Sequence, residues 1–418
     1  MSLKQDDAKS LPEGWSIKKL GDVCEIINGG TPDTKVKEYW NGQNLWLTPK
    51  DMGKLKSIYV SDTERKITNS GLKNSSAKII PINSVILSSR APIGHLSINT
   101  KPISTNQGCK GIIPKDNVET IFLFYFLRNS VNYLNELGSG TTFKELSGTK
   151  LSQIQIPIPP LPEQKRIIAI LDEAFAAIAK AKENAEKNLQ NAKDLFESYL
   201  QSVFVNKGEN WEEKKFGEVC NLMTGGTPSK SKPEYFKNGK IKWLVSGDIH
   251  QKEIFDCDGR ITEEGLKNSN AKYLPIDSTI IALNGQGKTR GSVALLRVQA
   301  TCNQSLVSIY PKDKKEILSE YIYFNLHSRY QELRKLTGDA GNERRGLNMS
   351  IIGNIYLPIP LLEQQRIIVN QASLINPEII KLQIIYKQKI NSMEDLKKSI
   401  LQKAFTGELN TIKEIEAA

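Results

Sequence analysis

Apolar residues along this chain follow two regimes that alternate twice. From Trp15 to about Pro160, short apolar runs such as SVILSS, HLSI and GIIP are broken by Gly, Asn, Pro and Ser, which predicts strands joined by polar loops. One stretch departs from this: FLFYFLRNSVNYLNEL, 122–137, has helical spacing and predicts an embedded helix. Then comes PIPPLPEQ, whose prolines block a helix and whose Glu163-Gln164 can open one. Residues 163–204 contain neither Gly nor Pro, and place Leu171, Ala174, Ile178, Ala181, Ala185, Asn188, Ala192, Leu195 and Tyr199 three or four apart. From 207 onward both regimes recur. STIIALN and VALLRV predict strands, YIYFNLHSRYQELRKL (321–336) the embedded helix, and Ile375, Ile379, Leu382, Tyr386, Lys389, Met393, Leu396 and Ile400 a second stripe. Pro377 is expected to kink or delay that last helix near its start.

The recurrence is a true internal repeat. Residues 14–32 match 210–228 at 10 of 19 positions without a gap, where chance gives about one. Residues 67–86 match 261–280 at 13 of 20, and IPIPPLPEQKRII (156–168) is echoed by LPIPLLEQQRII (357–368). The chain is one unit of about 200 residues written twice.

A helix over 163–204 makes a rod of roughly 63 Å, long and stripe-like enough to need a partner helix. The second unit supplies one. Antiparallel association of the rods would relate the units by a pseudo-two-fold axis, with the globular halves at opposite ends, as dimeric readers face palindromic half-sites on duplex DNA. Asn188 and Lys389, at core-type positions, either fix register or mark a solvated seam. The fold class expected is α+β: two pseudo-symmetric mixed α/β domains separated by two long helices packed as an antiparallel coiled coil. The boundaries are a tail at 1–12, a first domain at 13–160, a central spacer helix at 161–206, a second domain at 207–360, a C-terminal spacer helix at 361–410 and a tail at 411–418.

Composition narrows the function. Of the 418 residues, 57 Lys+Arg stand against 46 Asp+Glu, a formal charge of +11 that favours a polyanionic partner. Hydrophobic content of 39% and charged content of 25% fit an ordered globular chain. No apolar run approaches the roughly 18 residues of a membrane span, and MSLKQDDAKS has no apolar signal core, so a cytoplasmic chain is expected. Cys24, Cys109, Cys220, Cys257 and Cys302 never stand in CxxC spacing, and His95, His250 and His327 are isolated, so buried thiols are expected and no metal site is indicated. ALNGQGKT, 282–289, approaches a phosphate loop, but TRGSVALLRVQ reads as a strand where that motif needs a helix; a β-hairpin with a basic tip is the better reading.

Leu-Pro-x-Gly-Trp followed by GGTP, the PIPPLPEQ lead into a long helix, its PIPLLEQQ counterpart and the ending LKKSILQKAFTGEL together resemble the DNA specificity subunit of a type I restriction-modification system, over about residues 11–410. The resemblance implies a non-catalytic chain with two target recognition domains, each reading one half of an asymmetric bipartite site whose gap follows the spacer helices. It implies as partners double-stranded DNA, two adenine-N6 methyltransferase subunits and, through them, two restriction-translocase subunits. No cofactor is expected on this chain; S-adenosylmethionine, ATP and Mg belong to the partners. Consistently, the amino-methyltransferase tetrapeptide is absent, since Pro159-Pro160 stands between Ile158 and Leu161. The alternative is a coiled-coil adaptor that binds proteins and has no DNA specificity.

Duplex reading needs cations for phosphates and Arg, Lys, Asn or Gln for base edges, on loops held by a rigid scaffold. Four loop pairs fit. GGTPDTK offers Thr31 and Lys35, and GGTPSKSK offers Thr227, Ser229 and Lys230; their glycines would allow close backbone approach to phosphate, or simply make a turn. Ser89 and Arg90 stand opposite Asn284, Gln286, Lys288 and Arg290, unlike in sequence at an equivalent place. Gln107 and Lys110 stand opposite Gln304, where the shared Asn-Gln suits adenine or an internal turn. Thr141, Thr142 and Lys144 stand opposite Asn342, Arg344 and Arg345. Lys50, Asp51, Ser246 and Asp248 read as solvated charge that could also touch DNA. The helices carry mixed charge and suit docking instead, with Leu161, Glu163, Gln164 and Ile168 and their twins Leu361, Glu363, Gln364 and Ile368 as the expected partner face.

Overall fold

In the first half, five strands form a sheet in the order Cys24–Asn28, Cys109–Pro114, Val85–Ser88, Leu96–Asn99, Tyr59–Val60, antiparallel except for the last pair. A three-stranded sheet orders Arg65–Ile67, Trp40–Leu47 and Ile103–Thr105. The computed structural model describes residues 11–90, 92–140, 144–206, 208, 210–285, 287–336 and 346–409. Within it the second half repeats both orders: Cys220–Thr224, Leu306–Pro311, Thr279–Ala282, Val293–Leu296, Glu253–Ile254, and Arg260–Ile261, Ile241–Leu244, Thr301–Cys302.

Each large sheet is buried on both faces, which is why its central strands read as continuous apolar runs. Val85 and Leu87 face a cluster built on Phe122, Leu123 and Phe126, whereas Ile86 between them faces Leu45, Leu47, Ile80 and Ile103. Ile281 and Ile280 divide in the same way in the second half. A short ladder, Ser16–Lys19 against Gln155–Ile158, brings each chain end of the first domain together and aims the chain into its long helix; Glu212–Lys215 against Tyr356–Ile359 repeats it.

The embedded helix is broken in two in both halves. Thr120–Asn129 ends where the Ser130 hydroxyl bonds back to the Phe126 carbonyl at 2.9 Å, and Val131–Leu137 follows; the twins are Ser319–Ser328 and Tyr330–Lys335. The long helices are uninterrupted: Leu161–Val205, with Pro162 harmless in the first turn, and Leu362–Thr406. Pro377 therefore does not delay the second one, which starts at Leu362; around the proline, Ile379 is buried in the second unit's core and Ile375 packs against it.

The chain divides into two compact units, 1–185 with 388–418, and 186–387, so each unit owns one globular half and part of both long helices. In the first unit the helices run antiparallel, since Arg166 bonds the Leu409 carbonyl (3.3 Å) while Lys182 reaches Glu394 (2.5 Å). Phe405 there packs on Phe122 and Phe126 at 5.2 and 5.5 Å. In the second unit Phe204 packs on Tyr321 at 5.5 Å, and Tyr199 bonds Gln371. Burying each such side chain stabilises by about 1.5–3 kcal/mol.

The buried stripe differs from the expected one. Asn188, Lys389, Leu195, Leu382 and Leu396 are exposed, and Ala192, Phe196, Leu200 and Phe204 hold the inner face. A strict three-four count drifts off a helix of 3.6 residues per turn, and the seat shifts by one residue to Phe196. All five cysteines are free and buried. Among the described residues no helix is long and apolar enough to cross a membrane.

Candidate nucleic-acid interface

The GGTP glycines lie against a neighbouring turn. A Cβ on Gly29 would sit 1.8 Å from the Asn106 carbonyl oxygen, and one on Gly225 1.8 Å from that of Cys302. Gly30 N–H donates to Thr105 O at 2.8 Å and Gly226 N–H to Cys302 O at 3.0 Å, while Trp46 Nε1 and Trp243 Nε1 hold the Gly30 and Gly226 carbonyls. Of the two readings of these glycines, the turn is the one that holds: the N–H groups of Gly30 and Gly226 are engaged inside the fold and not offered to phosphate.

From there backbone bonds string four loops together. Thr31 donates to the Gln107 side-chain carbonyl, and Thr227 to that of Gln304 at 2.6 Å. Asn106 Oδ1 accepts from Gly108 N–H, as Asn303 Oδ1 does from Ser305 N–H, so the shared Asn makes an internal turn. Ser89 N–H donates to Gly108 O (2.7 Å) and its carbonyl accepts from Leu146 N–H (2.9 Å); Leu283 does the same with Ser305 and Leu347. The tips are buttressed by the second short helix of each half. Gly94, at φ +112°, abuts Val131, where a Cβ would come within 2.5 Å; Tyr330 and Arg334 bond the carbonyls of Lys288 and Gly287. A strand, Val293–Leu296, follows Lys288, as expected for a hairpin and not for a phosphate loop.

The structure thus gathers three expected loop pairs, and the described part of the fourth, into one cluster in each half. Lys35, Gln107 and Lys144 are exposed in the first, and Ser229, Lys230, Asn284, Lys288 and Gln304 in the second. Thr31, Arg90, Thr227 and Arg290 are half-buried. Ser89 and Lys110 are turned inward, at 0% and 5% exposure, and form the wall beneath the cluster. Thr141, Thr142, Gln286, Asn342, Arg344 and Arg345 lie outside the described residues. Asp51 and Asp248 are helix caps: Asp51 Oδ2 accepts from Thr48 N–H (3.0 Å), and Asp248 Oδ2 from Val245 N–H (2.8 Å). The solvated-charge reading of Asp51 missed the first of these caps, for which Thr-Pro-Lys-Asp was the available signal.

One residue escaped the sequence reading. Glu145 bonds Arg90 Nη2 at 2.7 Å and lies 3.8 Å from Lys110 Nζ, whose pKa burial pushes below the usual lysine range. Its acidity, inside a loop chosen for cations, hid it.

The expected partner face also changes. Gln164 is fully buried, accepting from Glu119 N–H and donating to the carbonyls of Asn117 and Pro159, each at 2.9 Å. Gln365, not Gln364, makes the same three bonds, to Leu318, Glu316 and Pro360. The helices therefore correspond at an offset of 201, although the letters QKRII and QQRII align at 200. Ile368 is the twin of buried Ile167 and lies in the core, and Ile168 packs against the first unit's core. Leu161 and Glu163 are half-buried, whereas Leu361, Glu363 and Gln364 are exposed, Leu361 by 69%.

Comparison with known proteins places both halves. The family described as the type I restriction modification DNA specificity domain matches residues 12–188 and 208–391. The type I restriction enzyme MjaIX specificity subunit of Methanocaldococcus jannaschii is 31% identical over 427 residues, covering 97% of this chain and 96% of that one. The EcoKI specificity subunit of Escherichia coli K12 is 24% identical, covering 96% and 90%. Two solved structures share the fold. One, from work on complex assembly and conformational transition of the type I R-M system, has a TM-score of 0.76 at 21% identity and covers 96% of this chain and 99% of its own. The other, the HsdS subunit from Thermoanaerobacter tengcongensis, has a TM-score of 0.62 at 21% identity and covers 96% and 98%.

Proposed function

From a chain that belongs to the type I restriction modification DNA specificity family, we propose a division of labour in which each loop cluster reads one half of an asymmetric bipartite duplex site. The observation that carries it is that two halves of one strand order bring unlike side chains to the same cluster, around a shared glutamine: Arg90 and Lys144 in one, Asn284 and Lys288 in the other. Identical scaffolds with unlike tips suit a reader of two different half-sites. Lys35, Lys144, Lys230 and Lys288 supply the phosphate contacts, so affinity falls as salt rises.

This chain has no catalytic part in the reading. Two adenine-N6 methyltransferase subunits dock on the outward helix faces and carry S-adenosylmethionine, and two restriction-translocase subunits join through them with ATP and Mg. Leu361, just ahead of the second long helix, and Leu374, on it, are 69% and 73% exposed and support that docking surface. Because both are exposed, Leu361→Asp with Leu374→Asp should leave folding intact and remove co-purification with the methyltransferase; retained assembly contradicts the docking face. Ile168 would be a poor choice, since its change would also disturb the core.

The reading itself is tested by co-expressing the chain with its methyltransferase and mapping N6-methyladenine across a genome. One asymmetric motif with a fixed gap and one modified adenine per half is expected. No new methylation from an intact complex overturns it.

A further inference from the structure

The halves diverge most sharply at one point of the loop cluster. Ser89 and Leu283 make equivalent backbone bonds, so the residues after them, Arg90 and Asn284, occupy the same place; the residues facing them, just before Leu146 and Leu347, are Glu145 and Gly346. In the first half Glu145 divides its carboxylate, one oxygen 2.7 Å from Arg90 and the other 3.8 Å from Lys110. Lys110 is 5% exposed on a central strand opposite Leu87; in the second half the residue in that register, opposite Ile281, is Val307. All three charges are replaced together.

The physical effect differs in each half but acts on the same side chain. A buried ammonium beside Glu145 holds the carboxylate in place, because turning the carboxylate away would leave the Lys110 charge buried and unpaired. Glu145 in turn fixes one edge of the Arg90 guanidinium, which stays 42% exposed with donors to spare. In the second half a Cβ at Gly346 would stand 2.0 Å from Asn284 Oδ1, so the glycine makes room for the amide.

We propose that residues 90 and 284 read bases and that residues 145 and 346 position them: Arg90, held by Glu145, reads a guanine, and Asn284, seated over Gly346, reads an adenine. The chemistry follows from fork-shaped donors matching guanine O6 and N7, and an amide matching adenine N6 and N7. The proposal rests on the half-site reading above.

The test uses the complete complex with its methyltransferase, acting on duplexes randomised in both half-sites. Glu145→Gln keeps the shape and removes the charge. Preference for guanine at one position of one half-site should fall about tenfold, with the other half-site unchanged and Glu145→Asp recovering part of the loss. Arg90→Lys, which cannot fork, should loosen the same position. Gly346→Ala should loosen one adenine in the other half-site. Should Glu145→Gln fail to fold, Arg90→Lys and Gly346→Ala still decide, since both leave the Lys110–Glu145 pair intact. Variants that lower methylation evenly over all sequences, or shift preferences in both half-sites at once, overturn the assignment. A wild-type complex with no fixed motif overturns instead the half-site reading beneath it.

Discussion

His327 lies between the rings of Phe196 and Tyr323, 5.6 and 5.8 Å from their centroids, with the Lys252 charge nearby. Burial, helped by that charge, holds its imidazole down to about 4, against an unfolded value of about 6.5. Unfolded chain thus binds a proton that folded chain refuses between those limits, so stability is full above about pH 6.5 and declines as pH falls toward 4. The loss amounts to about 3 kcal/mol, read as the difference in pH slope between wild type and His327→Phe in urea titrations. Burial also pushes the thiols of Cys24, Cys109, Cys220 and Cys302 up to about 12. At pH 8 they should resist alkylation until the chain is denatured; rapid labelling of native protein would contradict that. Gln164 and Gln365 each satisfy three backbone groups from inside, and replacing either by Ala should cost its own unit about 2–4 kcal/mol, visible as a lowered denaturation midpoint.

At the scale of the element, the second long helix carries a flaw it does not need. Pro377 lacks the N–H that would bond the Ser373 carbonyl, and its ring crowds that turn, yet the helix runs from Leu362 to Thr406. Packing of Ile368, Ala372 and Ile379 on the second unit's core outweighs the defect. Pro377→Ala should therefore raise the second unit's stability by about 1–3 kcal/mol, and a lowered midpoint would show that proline shapes the packing. Ser130 and Arg329 interrupt the embedded helices at equivalent places, and the second segments so formed support the hairpin tips at Gly94 and Gly287. A single helix over 122–137, as the periodicity suggests, would not turn to meet them.

For the whole molecule the repeat has a functional consequence. On the proposed half-site reading, the two halves bind one duplex only where both half-sites meet them in register. One base pair added to the gap turns one half-site by about 34° relative to the other. Affinity for a native-gap duplex should therefore exceed that for a gap altered by one pair, and both should fall as salt rises. Equal binding to both gaps, measured by competition at fixed salt, would contradict a chain that measures distance.

The sequence alone determined that there are two like units, that each is sheet followed by long helix, and that loops would carry unlike polar residues, because repeats, periodicity and glycine or proline punctuation are local or one-dimensional signals. Family kinship was legible for the same reason, in short strings such as GGTP and PIPPLPEQ. Only the tertiary structure decided which of those loops meet, since the bonds joining Ser89 to Gly108 and Leu146 cross long stretches of chain. It decided that Lys110 turns inward and Glu145 belongs with Arg90, because side-chain direction depends on sheet register. It also decided that Gln365 rather than Gln364 is the twin of Gln164: one residue on a helix is about 100° of rotation, and letters that match do not say which side faces the core.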